Sequence, residues 1–223
     1  MTASRNLRRL FTGASVAVLT TAGLAIGGAP ALAAPEDRCD RPGSRTEEAS
    51  RYARVYSLRR VENDAVTRRW YACLYSTGRS VRLGVTGPAG EFSDRISPVR
   101  LAGRHVAFVE EYTASTGDAL GAVVQVRNLR TRALVHRFQS PGDPNTYDVT
   151  DLELHPDGSV AWIARIVAGI PATTTYELRS LSSDGQDAAL VDSGAGLAAR
   201  SLALSGRTLY WTRDGVSRST TLR

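Results

Sequence analysis

The sequence predicts an all-β protein, a small β-propeller-like array of about four antiparallel sheet units, with a four-bladed ring, an open or incomplete stack and a larger dimeric ring all left open. Three observations carry that expectation. After residue 51, apolar and polar residues alternate at period two, and the 3.6-residue period of helices is nearly absent. Strand-sized runs are separated by small polar turns that contain glycine. Segments of the second half repeat one order of strand, glycine turn and apolar strand.

The chain opens with an export leader. Arg5, Arg8 and Arg9 form a basic head, Leu10 to Ile26 carries no charge, and Ala31-Leu32-Ala33 is a small-x-small cleavage signal. Residues 1–33 are therefore assigned to a signal peptide, with the mature chain starting near Ala34. Gly27, Gly28 and Pro30 break the apolar run, which weighs against a retained span of ~20 apolar residues. Arg8-Arg9-Leu10-Phe11 also resembles a twin-arginine signal, so both export routes stay open. Later apolar runs are strand-sized, and no transmembrane segment is expected in the mature chain.

Residues 34–223 are enough to bury about 70% of their unfolded surface as one domain, without a metal to supply the core. The basic residues are all arginine. Three of the 28 lie in the leader, leaving 25 against 22 acids, or net +3. The charges are interspersed, as in "RRVENDAVTRR", so they read as a solvated mixed surface and no nucleic-acid partner is expected. Cys39 and Cys73 have one intramolecular pairing available, and in an oxidising compartment they are expected to form a disulfide. That bond would tie the mature N-terminus to the first strand unit.

Residues 34–51 read as an irregular N-terminal lead-in, and residues 52–223 as a single β-propeller-like domain. "APEDRCDRPGS" is charged and holds two prolines. Thr46 followed by Glu47, Glu48 and Ala49 can cap a short helix, but Tyr52 to Leu58 alternates at period two. A brief turn and then a strand is the better reading. "WYACLYS" and "TGRSVRLGV" follow as a hairpin across Thr77-Gly78.

Three later units share a rhythm. A short strand ends in Leu101, Leu154 or Leu204 and enters a turn containing Gly103, Gly158 or Gly206. An apolar strand comes next: "HVAFV", "SVAWI" or "TLYWT". A variable loop and a third strand follow, with a fourth strand in the first two of these units. From Ala107 to Ala161 is 54 residues and from Ala161 to Tyr210 is 49, a difference that unequal loops absorb. Each unit has a sheet that must be covered, and stacking units face to face covers it. An ordinary two-sheet sandwich is the alternative architecture.

Leu154-His155-Pro156-Asp157-Gly158-Ser159-Val160-Ala161-Trp162 resembles the repeat box of TolB-like β-propellers, with His155 in place of the usual serine. Leu101 to Phe108 and Leu204 to Trp211 resemble shortened forms that lack Pro-Asp. The chain is also similar to secreted actinobacterial propeller-like proteins of unassigned activity. What the resemblance implies is propeller-type blades in binding or scaffolding roles. It carries over no active site.

Candidate chemistry is thin. His105, His136 and His155 have no partner histidine at metal-ligand spacing, and His155 has Asp151, Glu153 and Asp157 near it in sequence. Asp157 reads as the residue that accepts turn hydrogen bonds. No Gly-x-Ser-x-Gly element is present, and Glu110-Glu111 are strand neighbours that point to opposite faces, so they are a poor glycosidase pair. Asp143, Asn145, Asp148 and Asp151 lack EF-hand spacing, and Asp184 and Asp187 sit in a hairpin turn. No metal and no cofactor are implied. Adjacent aromatic pairs cannot both point inward, so Trp70, Tyr71, Tyr210 and Trp211 are candidate binding aromatics.

These readings predict a secreted or extracellular, non-enzymatic binding or scaffold protein that presents loops from a rigid β frame. Its partner would be a protein or a cell-envelope polymer. Two alternatives are an extracellular carboxylate-dependent hydrolase and a structural envelope-associated protein. Unpaired sheet edges invite association, which leaves a homo-oligomer open.

Overall fold

The computed structural model of the chain describes residues 38–62, 64–87, 95–113, 120–140 and 146–223. The leader assigned to residues 1–33, Asp143 and Asn145 lie outside the described residues. Four antiparallel sheets follow one another along the chain. Sheet 1 holds β1 (Ser44–Ala49), β2 (Ala53–Glu62), β3 (Ala65–Leu74) and β4 (Arg79–Thr86). Sheet 2 holds β5 (Arg95–Ala102), β6 (His105–Thr113), β7 (Leu120–Asn128) and β8 (Leu134–Gln139). Sheet 3 holds β9 (Thr146–Leu154), β10 (Val160–Ala168), β11 (Thr173–Leu181) and β12 (Ala189–Gly194). Sheet 4 is three-stranded: β13 (Ala203–Ser205), β14 (Thr208–Arg213) and β15 (Val216–Thr221). Every sheet is a plain meander, each strand pairing with the next in sequence. The first strands gather at the inner side, β1 beside β5, β5 beside β9 and β9 beside β13. Among the described residues, no helix is long and apolar enough to cross a membrane.

The lead-in requires a correction. Residues 44–49 are not irregular but form β1, and Thr46 pairs with Tyr56 of β2 instead of capping a helix. A register shift between Thr46 and Glu48 inserts Glu47 as an extra residue, which breaks the period-two pattern that would have announced the strand. As an inner edge strand, β1 also tolerates polar residues that a central strand does not.

Stacking explains the central strands. On β6, Val106 and Phe108 pack toward Val55, Ala72 and Leu83 of sheet 1. Ala107 and Val109 point the other way, to Val149, Leu152 and Trp162 of sheet 3. β10 repeats the device. Val160, Trp162 and Ala164 face sheet 2, while Ala161 and Ile163 meet Leu197, Leu209, Trp211 and Leu222 on the sheet 4 side. Trp162 beside Ala161 therefore marks a change of face within one doubly buried strand. The Trp162 ring lies 5.0 Å from that of Phe138, and its Nε1–H donates to the Tyr147 hydroxyl at 3.0 Å. Truncating such a ring costs about 3–5 kcal/mol.

One end of each sheet is closed in the same manner. The carbonyl before the second strand accepts the amide just past the third: Tyr52 O from Tyr75 N at 2.9 Å, and Arg104 O from Leu129 N at 2.7 Å. In sheet 4, Arg207 O accepts from Leu222 N at 2.7 Å. Sheet 3 substitutes a side chain, Ser159 Oγ accepting from Ser183 N at 3.1 Å. This shared geometry is the structural form of the repeat. Gly103 and Gly206 sit at φ 56° and 55°, a left-handed conformation that glycine adopts without strain.

The stack is open. Buried apolar clusters join sheet 1 to 2, 2 to 3 and 3 to 4, and among the described residues none joins sheet 4 to sheet 1. The outer face of sheet 1 is covered locally by the N-terminal segment, because Cys39 bonds to Cys73 with Cα atoms 5.8 Å apart and both are fully buried. Tyr56, Tyr71 and Tyr75 complete that small cluster. Replacing both cysteines by serine is expected to cost roughly 3–4 kcal/mol of unfolding free energy in urea denaturation, since the bond closes a loop spanning 34 positions. A loss below about 1 kcal/mol would remove the disulfide as the fastening of this face.

Candidate functional site

The inner edge of the stack concentrates charge because its strands are irregular. β1, β5 and β9 each carry a register shift, at Glu47, between Ile96 and Val99, and at Thr150 respectively. Such bulges bend a strand and re-aim its side chains. Thr150 Oγ1 donates to Ala199 O at 2.6 Å, and Asp151 Oδ2 accepts from Leu202 N at 2.9 Å. Both fix the segment leading into β13, so the bulge ties sheet 3 to sheet 4. Arg100 of β5 reaches Asp151 at 3.8 Å and Glu153 at 3.9 Å. Sheets 2 and 3 are thus joined by ion pairs on the inner side and by apolar contact behind it.

Glu111 is the most perturbed carboxyl of this edge. It is 4% exposed, and its Oε1 atom makes no hydrogen bond. Oε2 accepts from Arg95 Nε at 2.6 Å, and Arg95 Nη2 also reaches Asp148 Oδ1 at 3.3 Å. Arg165 meets Asp148 from the other side at 3.3 Å. Burial pushes the Glu111 pKa up to about 7, because its desolvation exceeds the pull of the Arg95 guanidinium and Asp148 adds like charge. Glu110 points to the opposite face, where Gln125 Nε2 donates to it. Its pKa is also raised by burial, with the Gln125 hydrogen bond opposing. Strand alternation separates the two glutamates, as the sequence implies. Position 148, on a different sheet, brings the second carboxylate instead. Chemically, Glu111 can hold a proton near neutrality beside the Asp148 carboxyl.

The glycine turns form a second cluster. His105 Nδ1 lies 2.9 Å from Pro156 O, and Asn128 Nδ2 lies 3.2 Å from His105 Nε2. Asn128 Oδ1 accepts from Arg130 N and Thr131 N, so its amide nitrogen faces the ring. That network assigns the proton to Nδ1, and burial keeps the imidazole pKa below its ordinary value. A Cβ on Gly103 would stand 3.5 Å from Pro156, and one on Gly158 would stand 3.6 Å from His105. Asp157 accepts from Ser159 N at 2.8 Å and pairs with Arg207 of the sheet 4 turn. Burial opposes its ionisation, yet the hydrogen bonds from Ser159 and His155 hold its carboxyl well below the usual range. Gly103, Asp157, Gly158 and the Gly206-Arg207 turn therefore lock three sheets at one end.

The candidate aromatics divide by face. Trp70 packs on the cluster between sheets 1 and 2, its Nε1–H donating to Thr86 Oγ1 at 3.1 Å. Trp211, at 6% exposure, turns into the contact between sheets 3 and 4 and donates to Asp192. Each indole is the inward member of its pair, but Trp211 is buried whereas Trp70 is half-buried. Tyr71 lies on the outer face of sheet 1, stacked on Tyr56 at 5.4 Å. Tyr210 is 40% exposed on the outer side of sheet 4. Among the described residues, no group of three or more His, Cys, Asp or Glu is arranged to hold a metal ion. A cleft of about 250 Å³ opens between β1 and β5, lined by Glu47, Glu48, Trp70 and Arg100.

No known protein family matches the chain, and no curated protein matches it. Sequence reasoning missed the Glu111 cluster because Arg95 and Asp148 are 53 positions apart and carry no spacing signal.

The proton on Glu111 sets a pH dependence. Folded Glu111 binds it more tightly than an unfolded glutamate, so this group's contribution falls as pH rises from about 4.5 through about 7. Glu111→Gln removes that loss. The variant is expected to match the parent near pH 5 and to exceed it by on the order of 1–3 kcal/mol at pH 8. Chemical denaturation across that range checks it. Superimposable pH profiles for the two proteins would discard the raised proton affinity.

Proposed function

We propose that the protein is an exported, non-enzymatic binding module, a rigid stack of sheets that presents its end faces and loops to a cell-envelope polymer. The observation that carries this reading is the open stack itself. Sheets 2 and 3 spend both faces on packing, whereas sheets 1 and 4 each keep one outer face. A disulfide suits an oxidising compartment, which agrees with an export leader. The likeness of residues 154–162 to TolB-like repeats supports a scaffold role in the same direction.

A carboxylate-dependent hydrolase is the second reading, favoured by one observation. Glu111 has the raised proton affinity of a general acid and Asp148 stands close by. Against it, Arg95 binds both carboxylates and Glu111 has almost no exposed surface.

Sedimentation with insoluble bacterial cell walls separates the two. The mature chain is expected to be retained saturably, leaving the wall material undegraded. Release of soluble wall fragments that disappears in Glu111→Gln would replace binding by hydrolysis. Absence of retention would overturn the binding reading.

A further inference from the structure

The sequence scatters its arginines, but the fold gathers them. Residues 38–87 contain 11 arginines against five acids, whereas residues 88–223 contain 14 against 15. The mature chain's positive excess thus lies in sheet 1 and the segment before it, and the rest of the chain is slightly acidic. Strand alternation then sorts that excess by side. In each of the pairs Arg59-Arg60 and Arg68-Arg69, the second arginine shares a face with the outer tyrosines. Arg54, Arg60, Arg69 and Arg82 surround the stacked Tyr56 and Tyr71. Arg38 and Arg41, held beside them by the Cys39–Cys73 bond, donate to Ser76 O at 3.3 Å and Gly78 O at 3.4 Å. Asp40 is the acid at this margin, 3.5 Å from Arg54.

Three of these arginines follow one another across the face. Arg60 pairs with Thr67 and Leu58 with Arg69, one strand across and two residues along, whereas Arg69 pairs with Val85 and Tyr71 with Arg82, so the step to Arg82 crosses the register shift between Trp70 and Tyr71. Arg60 and Arg82 are exposed.

We propose that the outer face of sheet 1 docks a phosphodiester-linked anionic glycopolymer of the cell surface through Arg60 and Arg82. This rests on the binding reading above and names its partner. A guanidinium fork matches a phosphate with two parallel hydrogen bonds. Two exposed forks spread over three strands of one face suit a linear chain that carries charge in its backbone at each repeat, more than they suit a compact anion. Single-stranded nucleic acid is a poorer fit. It needs open ring faces for its bases, but Tyr56 is 2% exposed, stacked on Tyr71 and covered by Arg54 at 4.9 Å.

The test measures binding of labelled poly(glycerol phosphate) to the mature chain, to Arg60→Gln/Arg82→Gln, and to Arg200→Gln, an exposed arginine elsewhere. The double variant is expected to bind between about threefold and thirtyfold more weakly, while Arg200→Gln binds like the parent. Its log–log salt slope should be shallower by about 1.4, or about 0.7 per lost contact. Unchanged melting of the variants keeps a folding defect out of the comparison. Equal binding by the double variant, an equal loss in Arg200→Gln, or equal binding of neutral dextran overturns the proposal. Tighter binding of single-stranded DNA than of poly(glycerol phosphate) overturns the choice of partner. Whole walls retained regardless of salt and of Arg60→Gln/Arg82→Gln sink this face alone, whereas walls not retained at all sink the binding reading with it.

Discussion

β6 and β10 have no solvent side, and the order of the four sheets follows from that. Val106 and Phe108 need sheet 1, Ala107 and Val109 need sheet 3, and Ala161 and Ile163 need sheet 4. A strand divided in this way cannot satisfy its apolar residues in a two-layer sandwich, where one side of each sheet meets water. At roughly 25 cal/mol per Å² of apolar area removed from water, each shared interface is a large term for both of its sheets. The middle sheets therefore fold as dependents of their neighbours. Small residues at Ala107 and Ala161, set against large ones at Phe108 and Trp162, let each strand pack closely on one side and fill space on the other.

Polar structure is arranged around this apolar spine. The inner edge is where strands meet without a sheet between them, and bulges at Glu47 and Thr150 turn side chains across the gaps. Ion pairs from Arg95 and Arg100 to the acids of β9 follow. Burial raises the proton affinity of Glu111 and Glu153, so this edge includes desolvated charge that the fold holds at some expense. The glycine-turn end uses lighter means. There, Asp157 serves its own turn through Ser159 and the next sheet through Arg207.

How much of this was legible varied with how local its cause was. The hairpins after Leu101, Leu154 and Leu204 could be read because a turn and its flanking strands are neighbours in sequence, and the Asp157-Gly158 turn names its own geometry. β1 could not, because one bulged glutamate erases a period-two pattern only six residues long. Alternation at Glu110-Glu111 gave the faces of both side chains, yet the second carboxyl beside Glu111, that of Asp148, sits on β9, a matter of stacking and not of sequence. The aromatic pairs behaved likewise. Alternation required one ring of each pair to face outward, and packing decided that Trp70 and Trp211 were the inward members. The arginines were the hardest to read. Interspersed along β2 and β3, they looked balanced until pairing laid Arg60, Arg69 and Arg82 on one face.

An open stack has two ends, and the two ends here are built differently. Sheet 1 has a cover of its own, the segment fastened by Cys39–Cys73 over Tyr56 and Tyr75, so its outer face can bear a dense set of arginines without a neighbouring sheet. Among the described residues, sheet 4 has neither a fourth strand nor such a cover. Its outer residues, Ser205, Thr208, Tyr210, Thr212, Ser217 and Ser219, follow from pairing with the inward Leu209 and Trp211, and none is charged. Small hydroxyl side chains can meet water without an apolar partner, which suits a terminal sheet that no disulfide protects. The exposed run Val216–Thr221 still leaves a backbone edge open. Mutual repulsion among the arginines disfavours apposing sheet 1 to another sheet 1, while the uncharged outer face of sheet 4 offers no attraction to it. Charge therefore acts against apposing two sheet 1 faces, and under the binding proposal it leaves the arginine face to a partner that brings the opposite sign.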